Sequence, residues 1–524
     1  MALTSLLSSS SSLQASSGSK VKTLVFCSEG SPNGKFNPQF TNSSIETDSI
    51  GTTIYNRLIE FKSGSTEIEP GLAERWTIDD SEKIYDFHLR RGVKWHSNKH
   101  FRPSRELNAD DVIFSFMRQK DPNHPYHNVS GGNYQSFVTY GMNTLIDKIE
   151  KVDDYTVRFV LNSPDSIFLS SIASGCASIL SAEYADILLK RGKPEQIDLD
   201  PIGTGPFQLI KYQKDSRILY NANINYWEGK PKIDRLIFSI TPDATVRYAK
   251  LQKNECQVMN MPNPSDIDHI RNNKQVVLLE QPGMNVGYLA YNTEKNPLGN
   301  IKVRQALTMA INKDDIIESV YQNKAQKAIN IIPPTLWGYN SEIKDYPYDP
   351  NKAKALLQEA GFPRGFSINL WAPPVSRSYT RMAEMIQFDW AQIGVKANIV
   401  SYNWGEFINR MLKGEHEALL IGLTGGSDPN YAIGDFSCSS TNIGRNLARW
   451  CNKDFDDLLM KARVSSDLNV RTQLYKKAQV IMHEQLPVLN IAHSTVYIPI
   501  RKNVVNYVID PLSRNNFKTV DINN

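Results

Sequence analysis

The sequence of 524 residues lacks the marks of several protein classes. No window approaches the roughly 18 consecutive apolar residues that a transmembrane helix needs. Lys and Arg exceed Asp and Glu by only 59 − 55 = 4 charges, and they are scattered, so no nucleic-acid partner is expected. The five cysteines form no Cys-x-x-Cys pair and have no histidine pair at zinc spacing beside them, so we expect no metal site.

Catalytic motifs are equally scarce. There is no Gly-x-Ser-x-Gly elbow and no Walker loop. The segment Ile202-Gly-Thr-Gly-Pro-Phe207 has two glycines but lacks the third glycine and the following helix of a dinucleotide loop, which favours a turn. Pro487 stands where a zinc-protease motif beginning at His483 would need its second histidine. We therefore expect no enzyme and no cofactor, with a peptidase or amidase as the rival from another class.

What the chain does have is length and a mixed pattern. Its 524 residues exceed the roughly 250–300 at which a single core stops growing, so two or more lobes are expected. Period-two runs alternate with helical spacings throughout, which indicates an α/β fold. Residues 1–20, a short apolar start followed by a serine-rich tract, are expected to be disordered or an aberrant signal or tag segment.

Local patterns predict individual elements. The predicted strands cover residues 21–26, 85–90, 156–161, 236–240, 286–291, 399–402 and 491–500. The predicted helices cover residues 108–117, 303–311, 348–357 and 381–390. A break at Gln281-Pro-Gly-Met284, together with a late strand that returns towards the first lobe, indicates a chain that crosses between lobes more than once, and clefts between lobes are preferred ligand sites.

The cysteines leave alternatives open. Cys438 and Cys451 lie 13 residues apart in a polar loop, and Cys27 and Cys256 could close a much larger loop, which leaves Cys176 over. All five could also be reduced thiols.

Several side chains are candidates for a ligand cleft. Tyr134, Tyr379 and Trp404 lie in or beside predicted loops, although such aromatics more often serve ordinary packing. Arg377 lies in a predicted loop before the helix at 381–390, and its guanidinium suits bidentate capture of a carboxylate. The loop Thr424-Gly-Gly-Ser-Asp-Pro-Asn430 exposes Asp428, which either holds a ligand or only starts a turn.

Many separate motifs, in order, resemble the periplasmic peptide-binding proteins of ATP-driven importers, the family 5 solute-binding proteins. The resemblance runs from about residue 21 to the C-terminus and is nearest to the dipeptide-, haem- and glutathione-binding members. The motifs include Pro70-Gly-Leu-Ala-Glu-Arg-Trp76, Phe87-His-Leu-Arg-Arg-Gly-Val-Lys-Trp-His96, Leu107-Asn-Ala-Asp-Asp-Val112, Ile202-Gly-Thr-Gly-Pro-Phe207 and Val303-Arg-Gln-Ala-Leu307.

The resemblance implies a two-lobed periplasmic-binding-protein fold of α/β class, with a hinge and a ligand cleft between the lobes. The first lobe would hold residues 21–281 and 500–524, with an inserted subdomain at about 55–200, and the second would hold residues 282–499. It also implies disulfides Cys27–Cys256 and Cys438–Cys451. The expected protein is a periplasmic monomer that captures a short peptide or peptide-like molecule and delivers it to an inner-membrane ABC permease.

The resemblance also assigns site residues. Arg377 matches the arginine that receives the ligand carboxylate. The acid that receives the ligand amine is either deleted here or replaced by Gly426, and Asp428 matches a second, turn-forming acid. Either Asp428 reaches the amine, or the cleft accepts another ligand, such as a modified peptide, glutathione or haem. A repurposed interaction or chaperone module is a further alternative.

Overall fold

The computed structural model describes residues 21–40, 43–374, 377–442 and 444–523; the segment 1–20 lies outside these ranges. Helices and strands alternate along the chain, as the α/β pattern predicts. The strands are Thr23–Ser28, Ile59–Phe61, Ile68–Pro70, Ala73–Ile78, Ile84–Leu89, Ile146–Asp153, Thr156–Leu161, Phe207–Gln213, Arg217–Ala222, Arg235–Ile240, Val258–Met259, Val276–Pro282, Asn285–Tyr291, Ala325–Lys327, Ser367–Trp371, Lys396–Val400, Ala418–Thr424, Val488–Arg501, Val504–Val505 and Asp521–Ile522.

The helices are mostly short and begin at polar caps. Asn108, for example, caps its helix through a reciprocal capping box with Asp111, which explains the sharp start that the sequence predicted there. The α-helices are Ser44–Glu46, Ala109–Lys120, Gln135–Thr139, Met142–Leu145, Phe168–Ile172, Ala182–Lys190, Gln196–Leu199, Ala244–Gln252, Ile267–Asn272, Ile301–Met309, Lys313–Ser319, Pro350–Glu359, Arg377–Gln392, Trp404–Leu412, Asn430–Ile433, Cys438–Asn442, Lys453–Arg463 and Leu468–Gln485.

One long strand, Val488–Arg501, joins the two halves of the molecule. Its first part pairs antiparallel with Asn285–Tyr291, and its second part pairs antiparallel with Val276–Pro282. The partner changes between Ala492 and Thr495, where Asn285 exchanges two hydrogen bonds with the backbone of Ser494. The chain therefore passes between the halves at two adjacent points, which is the geometry of a hinge.

The hydrophobic cores follow the same division. One large buried cluster runs from Leu24 to Val258 and resumes at Val496, and it includes the side chains beneath a separate four-stranded antiparallel sheet formed within residues 73–161. Two further clusters lie within residues 284–492. We call residues 21–282 and 495–523 the first lobe, and residues 285–492 the second lobe. The long strand Val488–Arg501, buried along most of its length, contributes side chains to the cores of both lobes.

Candidate functional site

A cavity of about 1960 Å³ lies between the lobes and is lined by residues from both. This volume exceeds the roughly 300–1,000 Å³ that is usual for small-ligand pockets. The first lobe contributes Tyr140, Ser170 and Asp243 to the lining, among others. The second lobe contributes three of the predicted site residues, Arg377, Tyr379 and Gly426.

Arg377 lines the cleft as an exposed residue, but it is the first residue of the helix Arg377–Gln392 and not part of a loop. The helix starts earlier than predicted because no proline or glycine separates Arg377 from Arg381. Among the residues that the structure describes, Arg377 has no acidic partner within ion-pair distance. The charge of Arg377 also acts on Asp243 of the first lobe. The pKa of the Asp243 carboxyl is lowered, first by the hydrogen bond from the Val246 backbone and to a smaller extent by Arg377.

Tyr379 and Gly426 also line the cleft. Burial raises the pKa of Tyr379 to about 12. The Tyr379 hydroxyl lies 2.8 Å from the point that a Cβ on Gly422 would occupy. The glycine at position 422 therefore leaves room for the Tyr379 side chain. A Cβ on Gly426 would collide with the ring of Tyr431, so this loop can approach the tyrosine only without a side chain. Neither glycine offers a charge to a ligand.

Asp428 does not lie where its carboxylate could contact a ligand in the cleft. It is buried, and it is absent from the lining of the cleft. Its carboxylate accepts hydrogen bonds from the Arg471 guanidinium, from the Tyr475 hydroxyl at 3.2 Å and from the backbone N–H of Asn430 at 2.9 Å. The structure thus assigns Asp428 to the turn and to the core of the second lobe, because Arg471 and Tyr475 on the helix Leu468–Gln485 already satisfy it.

The comparison with protein families decides the class. The model of the bacterial extracellular solute-binding proteins, family 5, in its middle region, matches residues 67–445. The chain belongs to this family.

The relatives of this solute-binding protein match it over nearly their whole length. It is 57% identical to the dipeptide-binding protein of Escherichia coli over 509 residues, which cover 96% of this chain and 95% of the relative. It is 48% identical to heme-binding protein A of Haemophilus influenzae, over 95% of this chain and 92% of the relative. A crystal structure of a Pseudoalteromonas dipeptide-binding protein in complex with Met-Leu matches with a TM-score of 0.91 at 37% identity, covering 96% of this chain and 100% of that one. The two-lobed fold is therefore shared.

Besides Asp428, the predicted site residue Tyr134 of the solute-binding protein is not brought to the cleft. Tyr134 is 3% exposed and belongs to the first-lobe core, where its hydroxyl donates to the carbonyl of His127 at 3.0 Å and its ring stacks on Phe40. Tyr134 packs in the interior of the first lobe, which its position in a predicted loop did not indicate. The prediction that Tyr134 contacts the ligand is therefore corrected. Trp404 begins the helix Trp404–Leu412, and its side chain lies outside the described part of the chain.

The cleft wall also contains a charged pair that the sequence patterns did not predict. Asp435 and Arg445 both line the cavity. The Arg445 guanidinium donates from Nε to Oδ1 at 3.1 Å and from Nη2 to Oδ2 at 2.8 Å. An acid and an arginine ten residues apart, on either side of Cys438, were the available signal, but only the fold shows that they meet and that they face the solute site.

Both disulfides implied by the resemblance are present, Cys27–Cys256 and Cys438–Cys451, and Cys176 is a buried free thiol. In the described ranges, no group of three or more His, Cys, Asp or Glu side chains is arranged to hold a metal ion. None of the helices that the structure describes combines the length and apolar character needed to cross a bilayer.

Proposed function

We propose that this solute-binding protein captures a short peptide or peptide-like molecule between its lobes and hands it, chemically unchanged, to an ABC permease of the inner membrane. The observation that carries this proposal is Arg377, a guanidinium in the cleft wall with no acidic partner among the described residues. A planar guanidinium of this kind is suited to a bidentate grip on a carboxylate, which every unmodified peptide carries at its C-terminus.

The relatives support a peptide over other carboxylates. The E. coli relative at 57% identity is named a dipeptide-binding protein, and the Pseudoalteromonas structure at 37% identity holds Met-Leu. The volume of the cleft leaves room for more than two residues, so ligands of three or more residues belong in the test. The two disulfides support an oxidising compartment such as the periplasm. A monomer would be sufficient, because both walls of the cleft come from one chain.

Titration calorimetry tests the proposal. Dialanine, trialanine and methionyl-leucine should bind, and each should bind more tightly than its C-terminal amide. Arg377→Ala should weaken binding of the free acids by at least fivefold, about 1 kcal/mol, because a charge-assisted hydrogen bond is lost. Arg381→Ala is the matched control, because Arg381 is an exposed arginine on the same helix and does not line the cleft. Equal affinity for acid and amide, or an unchanged affinity in Arg377→Ala, would contradict the proposal.

Two companion measurements address the rivals. Mass spectrometry of the peptide after long incubation should return it intact, whereas a peptidase or amidase would cleave it. A haem titration followed by absorbance addresses the function named for the Haemophilus relative. Haem iron is usually held by His, Cys, Met or Tyr; the described residues that line the cleft include no histidine, but they do include tyrosines such as Tyr379 and the methionines Met261 and Met460. Haem binding without peptide binding would replace the proposed ligand class.

A further inference from the structure

The Asp435–Arg445 pair is held rigidly against the cleft. Asp435 lies in the short turn Gly434–Phe436, and Arg445 follows ten residues later in the segment closed by the Cys438–Cys451 disulfide. The side chain of Asn446 fixes the two ends of this segment by donating to the carbonyl oxygens of Phe436 at 3.0 Å and Trp450 at 2.6 Å. The carboxylate therefore has a defined position in the wall.

The pair is also largely withdrawn from water. The side chains of Asp435 and Arg445 are only 13% and 24% exposed, and burial raises the pKa of the Asp435 carboxyl, although Arg445 opposes this shift. An ion pair in such a place contributes little net stability, because the cost of desolvating both charges offsets their attraction. A ligand group that contacts this pair would do so in a part of the wall that holds little water, where charge-assisted hydrogen bonds are strong.

Asp435 retains hydrogen-bonding capacity towards the cavity. Arg445 occupies one lone-pair direction on each carboxylate oxygen, and an ionised carboxylate can accept about four hydrogen bonds. Among the residues that the structure describes, no group besides Arg445 donates a hydrogen bond to this carboxylate. A buried acceptor with spare capacity suits an ammonium group, whose three N–H donors need partners.

The location also fits. The ring of Tyr288 meets that of Phe436, the residue after Asp435, edge-on at 5.9 Å. Tyr288 also pairs with Ile421, next to the Gly422 against which the Tyr379 hydroxyl lies. Tyr140 of the first lobe, whose ring meets that of Tyr431 edge-on at 5.5 Å, is influenced by the Asp435–Arg445 pair. Asp435 lines the same cavity as Gly426, where the resemblance places a ligand acid that this chain lacks.

We propose that Asp435, oriented by Arg445, receives the ammonium group of the ligand and makes the site selective for a free amino terminus. This inference rests on the proposed function, since it names the amine contact of the same peptide site. A peptide would then be held by Arg377 at its carboxylate and by Asp435 at its amine.

The test compares dialanine, trialanine and methionyl-leucine with their N-acetyl forms. The unaltered protein should prefer the free amines by at least tenfold. In Asp435→Asn this preference should fall towards one, whereas Asp435→Glu should keep part of it. Asp510→Asn is the matched control, because Asp510 also lines the cleft and is paired with an arginine, Arg514, at 2.8 Å. It should keep the full preference.

The outcomes separate this inference from the proposed function. If the unaltered protein binds none of the peptides, the proposed function fails. If it binds and prefers the amines, but folded Asp435→Asn keeps that preference, or Asp510→Asn loses it equally, the role of Asp435 is overturned. Should Asp435→Asn fail to fold, the double variant Asp435→Asn/Arg445→Gln removes both charges and leaves no ion unpaired. This double variant should also lose the preference for free amines. If it keeps that preference, the inference is overturned.

Discussion

Arg463 of the second lobe donates from Nε to Oδ2 of Asp165 of the first lobe at 2.6 Å, across 298 residues of sequence. Its Nη2 also donates to the carbonyl of Tyr140 at 2.6 Å. A second direct contact between the lobes joins the hydroxyl of Tyr431 to that of Ser170 at 2.8 Å. The arrangement of the lobes in this structure is therefore stabilised by direct protein contacts between them.

Removal of the Arg463–Asp165 pair should favour the open form. In Arg463→Ala, bound peptide should dissociate several-fold faster, because a ligand can shift the lobes only by its differential affinity, and part of the closing free energy is now missing. Stopped-flow dissociation and the radius of gyration from X-ray scattering would measure the change. Lys461→Ala, an exposed residue of the same helix, is the control. Unchanged dissociation in Arg463→Ala would show that the contact does not hold the lobes together.

Asp428→Asn should damage stability and not ligand selectivity. It leaves Arg471 buried without its carboxylate, and breaking one partner of a buried pair costs roughly 3–5 kcal/mol. Denaturant unfolding of the ligand-free protein would measure the loss. The double variant Asp428→Asn/Arg471→Met should recover part of it, because no buried charge remains unpaired. A stable Asp428→Asn protein with weakened peptide binding would return Asp428 to the ligand site.

The short disulfide should stabilise the segment that carries Asp435 and Arg445. Replacing both Cys438 and Cys451 by serine should lower the free energy of unfolding by about 3 kcal/mol, the loop-closure value for 13 residues. Denaturant unfolding of the variant and of the unaltered protein, both kept oxidised so that Cys27–Cys256 stays closed, would measure the loss. A variant as stable as the oxidised protein would mean that the loop is already fixed by hydrogen bonds such as those of Asn446.

His416 should make the protein less stable in acid. Burial lowers its pKa to about 4, although the hydrogen bond between its Nε2 and the Leu447 carbonyl acts in the opposite direction. The unfolded chain, with a histidine pKa near 6.5, binds more protons between these values. Stability from this residue is therefore present above about pH 6.5 and is lost as pH falls towards 4, by about 3 kcal/mol at most.

Denaturant midpoints at pH 7 and pH 4.5 would check the His416 prediction. The difference between the two midpoints should shrink in His416→Gln. It should not shrink in His100→Gln, because His100 is exposed. An equal pH dependence in all three proteins would show that His416 does not stay neutral in the fold.

Regular periodicity made much of the fold predictable. The predicted strand 156–161 coincides with Thr156–Leu161, and most other predicted elements lie within two or three residues of the observed ones, because alternation and helical spacing are local properties. The main exception is the helix at Arg377, which begins four residues before the predicted start at 381. Its apolar face starts late, so periodicity alone could not find its first turn.

The site was only partly predictable for a physical reason. Arg377, Tyr379 and Gly426 could be selected by residue type and resemblance, and all three line the cleft. Asp428 and Tyr134 were selected on the same grounds but are satisfied in the interior, Asp428 by Tyr475 on a helix 47 residues further along the chain and Tyr134 by the nearby His127 carbonyl. No local pattern reports which side of a loop faces a cleft, so Asp435 could not be separated from Asp428 until the chain was folded.

Each disulfide joins two cysteines of the same lobe: Cys27 and Cys256 lie in the first, and Cys438 and Cys451 lie in the second. Neither disulfide joins one lobe to the other. A change in the redox conditions outside the cytoplasm would alter the stability of each lobe. It would not restrict the movement of one lobe relative to the other, on which ligand binding and release depend.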